Sequence, residues 1–172
     1  MRATHVTVAA LAAALLLTAC DDNGGDDSAT KKTGDACVLD SLGVDVAASA
    51  APSAGDTGNV TVTLTNRDTK CTLKGFPGVD LYAGNVSTTV PTDKAATPAK
   101  LTLAKDATAS FTITYTRGEA GGKESLPVKT VKFTLPGATA DHSFTWSYGE
   151  VAIKGAGNAP NASVTPLTQA GD

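Results

Sequence analysis

The sequence has few of the side chains that bind transition metals or carry out nucleophilic catalysis. Its 172 residues include two histidines, three cysteines and one methionine. Zinc and copper sites need several converging nitrogen or sulfur ligands, so we expect no such site and no cofactor. An oxygen-only calcium site stays open, although no Asp-rich loop has the ligand spacing that calcium loops show.

Catalytic groups are equally scarce. Asp141, His142 and Ser143 are adjacent in the sequence, but neighbours on a strand point to opposite faces and cannot share one proton path. The carboxylates show no pairing that suggests general acid and base catalysis. We therefore expect the protein not to be an enzyme. The alternative is an envelope-acting hydrolase or other enzyme whose site the sequence does not reveal.

The charge balance argues against one class of partner. The chain carries 14 basic and 17 acidic residues, for a net charge of −3. Several of the acids cluster in residues 21–27, and the rest of the chain is close to neutral. Proteins that bind nucleic acids carry a basic patch or stripe, so we expect no nucleic-acid partner.

Long hydrophobic runs are absent except near the N-terminus. An apolar run over residues 6–16 follows a short positive start, and it is about half of the ~20 residues that a membrane-spanning helix needs. Leu17 and Ala19 then precede Cys20, which is the pattern of a lipoprotein cleavage site. We predict a signal peptide over residues 1–19 and a diacylglyceryl-modified Cys20. The alternative is a chance cysteine behind an ordinary signal peptide.

The predicted lipid fixes an expected location. Stable attachment to a membrane takes two or more acyl chains, which a lipid-modified Cys20 would carry. Residues 20–35 are predicted to comprise this cysteine and a flexible acidic spacer, because the stretch lacks apolar residues to bury. We expect a monomer that is anchored to the cell membrane and faces away from the cytoplasm.

Lipid on Cys20 would leave two cysteines. Cys37 and Cys71 have one possible pairing in an oxidising compartment. A disulfide between them would stabilise the fold by about 3–4 kcal/mol on the chain-entropy model. Two free thiols are the alternative at this point.

The remaining sequence indicates β-strands. Apolar residues alternate with polar ones, mostly threonine, in segments 60–65, 111–116, 131–135 and 144–148. Such alternation is typical of half-buried antiparallel sheets. Shorter candidate strands are 44–48, 71–73, 79–82, 101–103, 151–153 and 163–167. We predict an immunoglobulin-like antiparallel β-sandwich of about seven to nine strands over residues 36–168, followed by a disordered tail at 169–172.

Two surface features could bind a ligand. Threonine occupies every second position of residues 61–65 and 112–116. These rows would form flat hydroxyl ladders if their strands were adjacent, and such ladders can order water or line glycans. The alternative is that threonine is simply a good exposed strand residue. Trp146 and Tyr148 could stack on a ligand, but their alternation with Phe144 favours the core.

The most distinctive segment runs from residue 64 to residue 79. Its pattern is Asn66 followed by Cys71, Leu73, Gly75, Phe76, Pro77 and Gly78. This pattern resembles that of an actinobacterial domain of unknown function, family 4232, which is typical of small exported proteins and lipoproteins. The resemblance covers about residues 36–167. It implies an immunoglobulin-like sandwich and a Cys37–Cys71 bridge, and no activity comes with it.

The same segment has a local interpretation. Gly75 and Gly78 flank Phe76-Pro77, which allows a sharp turn, and we expect Phe76 to fill the core. The loop could also be a recognition edge, although a structural role is favoured. The leading hypothesis is a non-catalytic lipoprotein that binds or scaffolds an extracellular protein or glycan.

Overall fold

A computed structural model describes residues 35–155 and 159–170. The predicted signal peptide, the predicted lipid site at Cys20 and residues 21–34 of the spacer lie outside these ranges. Within the described residues the only helix is a 3-10 turn, Leu39–Ser41. No helix there is long and apolar enough to cross a membrane. The described chain is all-β, as the alternation predicts.

The described residues form fourteen strands. The first six are β1 (Leu42–Ser49), β2 (Thr57–Asn66), β3 (Cys71–Lys74), β4 (Gly78–Ala83), β5 (Val86–Thr89) and β6 (Lys100–Leu103). The others are β7 (Thr108–Thr116), β8 (Ser125–Leu126), β9 (Thr130–Thr134), β10 (Asp141–Thr145), β11 (Val151–Lys154), β12 (Ala159–Pro160), β13 (Ala162–Val164) and β14 (Thr168–Gln169). Several strands of two or three residues raise the number above the predicted seven to nine.

The larger main sheet has the order β1-β2-β7-β13, and β14 also pairs with β7. All of these pairings are antiparallel. The central strands β2 and β7 pair from Thr57 with Thr116 to Thr65 with Thr108. Every second residue of both strands is buried, because one face of the sheet covers the core and the other faces outward.

The second main sheet has the order β10-β9-β4-β5, again antiparallel. Its central strands bury Val79 and Leu81 of β4 and Val131 and Phe133 of β9. Two smaller sheets complete the described fold. One has the order β12-β11-β8, and the other consists of β3 and β6.

The core lies between the inward faces of the two main sheets. Phe111 of β7 meets Phe133 of β9 with 5.3 Å between ring centroids, and Tyr115 of β7 meets Trp146 at 4.8 Å. Both pairs are edge-to-face, the arrangement that ring quadrupoles favour. Each buried aromatic side chain contributes about 2–3 kcal/mol to folding. The packing is consistent with a β-sandwich, and the immunoglobulin-like topology stays a prediction.

One predicted strand is shorter than expected. The alternation of residues 144–148 predicts a strand through Tyr148, but β10 ends at Thr145. Trp146 Nε1 donates to the Gly149 carbonyl at 2.6 Å, and Gly149 adopts a φ of +90°. Trp146 is buried as predicted. A turn after β10 places Trp146 in the core, so the alternation of apolar residues over 144–148 does not require the strand to continue.

The C-terminal boundary also differs from the prediction. The disordered tail was expected from residue 169, but Gln169 belongs to β14 and pairs with Ala109. The Ala170 amide then donates to the Thr108 carbonyl at 3.1 Å. The ordered chain therefore continues past residue 168, because these last residues complete the edge of the larger sheet.

Candidate functional site

The first described residues are attached to β3 at one point. Cys37 and Cys71 form a disulfide with 2.08 Å between the sulfur atoms, which confirms the predicted pairing and excludes two free thiols. The Cys37 amide donates to the Thr72 carbonyl at 3.0 Å, and the Thr72 amide donates to the Asp35 carbonyl. The bridge and these two bonds fix the place where the chain enters the domain.

Asn66 is a buried junction between strands. Its side chain is fully buried, and Nδ2 lies 2.9–3.1 Å from the carbonyl oxygens of residues 69, 103 and 104. Its Oδ1 accepts from the Asp68 amide at 3.1 Å. Because a buried amide needs partners for both of its ends, Asn66 ties the end of β2 to the end of β6 and to the turn between β2 and β3.

Steric constraints explain why glycine occupies positions 75 and 78 of the distinctive segment. Gly75 adopts a φ of +123°, where side chains are strained, and a Cβ there would lie 3.2 Å from Pro136. A Cβ on Gly78 would lie 2.6 Å from the Thr134 hydroxyl oxygen. Both glycines therefore leave room for side chains of the neighbouring segment, Pro136 and Thr134.

The expectation that Phe76 fills the core is wrong. Phe76 is only half-buried, whereas Pro77 is buried. Pro77 shares its phase with Val79 and Leu81, the buried residues of β4. Since side chains alternate along an extended chain, Phe76 falls on the other side. The segment is therefore fixed to the core by the buried side chains of Leu73 and Pro77 and by the disulfide.

The predicted threonine rows do lie on adjacent strands. Strands β2 and β7 are neighbours, and Thr61 pairs directly with Thr112. We call their outward residues the hydroxyl face. It consists of Thr57, Asn59, Thr61, Thr63 and Thr65 of β2 and Thr108, Ser110, Thr112, Thr114 and Thr116 of β7. The face is a two-column array of small polar side chains without a charge.

Hydrogen bonds within the hydroxyl face link its two columns. The hydroxyl oxygens of Thr61 and Thr112 lie 3.1 Å apart. Thr114 donates to Oδ1 of Asn59 at 2.8 Å. Cross-strand pairs of this kind stabilise a sheet, so the array has a structural role whether or not it binds a ligand.

The outward face of the second main sheet is charged. Lys132 of β9 lies 3.3 Å from a carboxylate oxygen of Asp141 on β10, and its ammonium lies 5.5 Å from the ring centre of Tyr82 on β4. Asp80 accepts a hydrogen bond from Thr89 at 2.6 Å. On the larger main sheet, Asp45 of β1 is exposed and pairs with Thr63, so the uncharged surface is limited to the two columns of β2 and β7.

Sequence reasoning missed a lysine pair on the small β3–β6 sheet. Lys74 and Lys100 are direct partners across its ladder, and Thr72 pairs with Thr102. Directly opposed residues point to the same face, so these four side chains form one outward surface, which we call the lysine face. Nothing in the sequence indicated that these two short strands pair with each other.

His142 does not lie in a catalytic arrangement with its neighbours. It is exposed on β10, its ring centre lies 5.4 Å from that of Phe133, and Asp141 pairs with Lys132 instead. Alternation places His142 on the opposite face from Asp141 and Ser143, as predicted. Among the described residues, no group of three or more His, Cys, Asp or Glu side chains could hold a metal ion.

A groove of about 420 Å³ lies beside the loop that follows β7. Arg117 lines it, but Nη1 of this side chain donates to the carbonyls of Ala51 and Pro52, both at 2.8 Å. The guanidinium thus holds the connection between β1 and β2. A second depression of about 210 Å³ lies beside Trp146. His142 lines neither of them.

The part of the chain that contains the disulfide and Asn66 also matches a known protein family. The model of a family described as a domain of unknown function, DUF4232, matches residues 37–168. The chain belongs to this family. No curated protein matches the chain. The family description assigns no function, so the activity has to be inferred from the surface of the domain.

Proposed function

We propose that this DUF4232 member is an extracytoplasmic lipoprotein, held at the cell membrane by lipid on Cys20, and that its β domain is a non-catalytic binding module. The hydroxyl face carries the proposal, because it is a regular, uncharged array on the two longest strands. In this proposal the partner is an extracellular glycan.

The chemistry of the hydroxyl face suits a neutral glycan. A threonine hydroxyl can donate and accept, and so can each hydroxyl of a sugar. Threonine is branched at Cβ and stiff at χ1, so little side-chain entropy is lost on binding. Strands β2 and β7 contain no charged residue, which favours a partner without charge.

The anchor is supported by the sequence around Cys20 and by the attachment of the domain. The disulfide and the Asp35–Thr72 bond hold the entering chain against β3. Residues 21–34 then separate the domain from the lipid. In this proposal the short length of that stretch keeps the domain close to the membrane.

The anchor is tested by replacing Cys20 with Ala and fractionating the cells. The native chain should sediment with membranes, and the Cys20→Ala variant should be released, because it carries no acyl chains. Thr18→Ala, which changes the same segment and keeps Cys20, serves as the control and should stay with the membranes. Membrane retention of the Cys20→Ala protein would refute the anchor.

The binding surface is tested by sedimentation with insoluble cell-wall polysaccharide from the cells that make the protein. The purified chain starts at residue 20 and carries Cys20→Ala. Thr112→Lys places a charge in the middle of the hydroxyl face and should abolish sedimentation with the polysaccharide. Thr145→Lys, on exposed β10, adds the same charge outside the face and should leave binding intact. Equal binding of both variants, or binding to envelope proteins alone, would contradict the proposal.

The non-catalytic role has its own test. The same polysaccharide is incubated with the native chain, and soluble sugars are measured over time. The proposal predicts no release above the level of a heat-denatured sample. Release that depends on folded protein would instead favour the hydrolase alternative.

A further inference from the structure

The lysine face has a feature that folding alone does not explain. Lys74 and Lys100 stand directly opposite each other, and like charges in that position destabilise a sheet. Neither is in a salt bridge in the described part of the chain, where the single ion pair joins Lys132 and Asp141. Two uncompensated ammonium groups on one flat surface are suited to an anionic partner.

The entering chain lies beside this face. Ala36 bridges to Thr72 in a parallel pairing. Val38 lies two residues further along this extended chain, so alternation turns it to the same side as Ala36. Val38 is one of the few large apolar side chains left exposed among the described residues, at 52 %. An exposed apolar side chain therefore lies on the chain that enters the domain beside β3, the strand that carries Lys74.

The acids in this part of the molecule do not cancel the pair. Asp35 lies at the edge of β3, bonded through its backbone to Thr72, and Asp68 lies in the turn before β3. Neither of them, nor the exposed Asp40 on the entering chain, comes within 4 Å of a lysine nitrogen. The outward residues of β3 and β6 themselves are two threonines and two lysines.

We propose that the lysine face binds the anionic headgroups of the membrane to which the chain is tethered. This proposal rests on the proposed lipid anchor for its proximity to the membrane. The position of the tether, the charge and the exposed Val38 favour a lipid surface over a soluble anion, since an apolar side chain gains from contact with the acyl boundary. The domain would then lie on the membrane with its β3–β6 sheet facing the lipid.

The expected affinity follows from the charge. Each lysine near an anionic membrane surface strengthens binding by about five-fold, so the pair contributes roughly 30-fold. Such binding is weak for a free protein. It becomes effective when a tether raises the local concentration of the surface, as the proposed anchor does.

The test uses chain that starts at residue 20 with Cys20→Ala, so that no lipid contributes. It is sedimented at low salt with a large excess of phosphatidylcholine vesicles that either contain or lack phosphatidylglycerol, so that weak binding of the untethered chain is detected. Binding should require phosphatidylglycerol and weaken as salt shortens the screening length. Lys74→Gln with Lys100→Gln should reduce the partition coefficient about 30-fold. Lys123→Gln with Lys129→Gln removes the same charge from exposed positions elsewhere and should leave it nearly unchanged.

Three results would overturn the proposal. They are no binding to phosphatidylglycerol vesicles at low salt, equal losses in the two double variants, or binding to soluble polyphosphate without binding to vesicles. The last would point to an anionic envelope polymer. Because the test protein lacks the lipid, these results are independent of the Cys20→Ala fractionation, and each proposal can fail alone.

Discussion

The hydroxyl face and the lysine face both arise from the alternation of side chains along paired strands. They differ in whether the opposed side chains attract or repel each other. On the hydroxyl face, Thr61 bonds to Thr112 across the ladder. On the lysine face, the corresponding cross-strand partners are Lys74 and Lys100, which repel. The first arrangement stabilises the sheet that carries it, and the second costs stability unless an outside partner supplies negative charge.

The two faces also depend on different supports. The hydroxyl face stands on two long central strands, whereas β3 and β6 have four residues each and are held by the Cys37–Cys71 bridge and by Asn66. Asn66 belongs to β2 and bonds to the Leu103 carbonyl on β6. It therefore joins the strand of one face to the strand of the other. Long-strand pairing is robust, and the lysine face should be the first to open.

Removing the bridge should have the largest effect. Replacing both Cys37 and Cys71 with Ser should lower the free energy of unfolding by about 4 kcal/mol, because the loop between them is no longer closed in the unfolded chain. Urea denaturation measures the loss. Hydrogen exchange should rise first in β3 and β6, while β2 and β7 stay protected. A uniform rise in all strands would contradict the difference in support.

Replacing Asn66, the buried junction between strands, should have the second largest effect on stability. Asn66→Asp turns the donor that faces three carbonyl oxygens into a carboxylate, which should cost about 3 kcal/mol. Burial raises the pKa of the new carboxyl above its value in the unfolded chain. The deficit due to ionisation is therefore absent below about pH 4, where the acid is protonated in both states and can donate again. It grows as the pH rises and is complete only above the raised folded pKa. Asn59→Asp, exposed on the same strand, should change stability by less than about 0.5 kcal/mol.

A smaller effect is expected within the hydroxyl face. Thr112→Ala removes the 3.1 Å bond to Thr61 and a good strand residue, so it should cost about 1 kcal/mol. Thr145→Ala, at the end of edge strand β10, should cost clearly less. Equal losses in urea denaturation would mean that the cross-strand array adds nothing to stability.

The smallest effect should have the opposite sign. Lys100→Thr removes one of two opposed charges and should raise the free energy of unfolding by roughly 0.3 kcal/mol at low salt. Lys74→Thr should do the same, and the double variant should gain less than the sum, because one substitution already removes the repulsion. High salt should abolish the gain. A loss of stability in either single variant would show that the lysines are compensated within the fold.

The sequence predicts the strands well where alternation is long. Residues 60–65 and 111–116 alternate over six positions and lie within β2 and β7. The sequence does not show that these two segments are neighbours in the sheet, because pairing between distant segments depends on the tertiary fold. The predictions of a strand through Tyr148 and of a buried Phe76 failed for different reasons. A turn at Gly149 follows β10, whereas Phe76 falls on the opposite side of the extended chain from the buried Pro77.

The lysine face lay beyond sequence reasoning altogether. Lys74 and Lys100 end and begin short strands whose partners no local pattern reveals. Asn66 was marked by its family pattern, but its role depends on carbonyls of residues 103 and 104, which are remote in sequence. The cysteine pairing was the exception, because the predicted lipid on Cys20 leaves only Cys37 and Cys71 to pair.

The central claim, that the two faces contact different partners, is most directly tested by threonine methyl signals. The lipidated protein is placed in phosphatidylglycerol-containing nanodiscs with a spin-labelled lipid, and paramagnetic broadening is compared between the faces by NMR. Broadened methyl signals are expected for Thr72 and Thr102, and sharp ones for Thr61 and Thr112. Equal broadening on both faces, or broadening confined to Thr61 and Thr112, would contradict it.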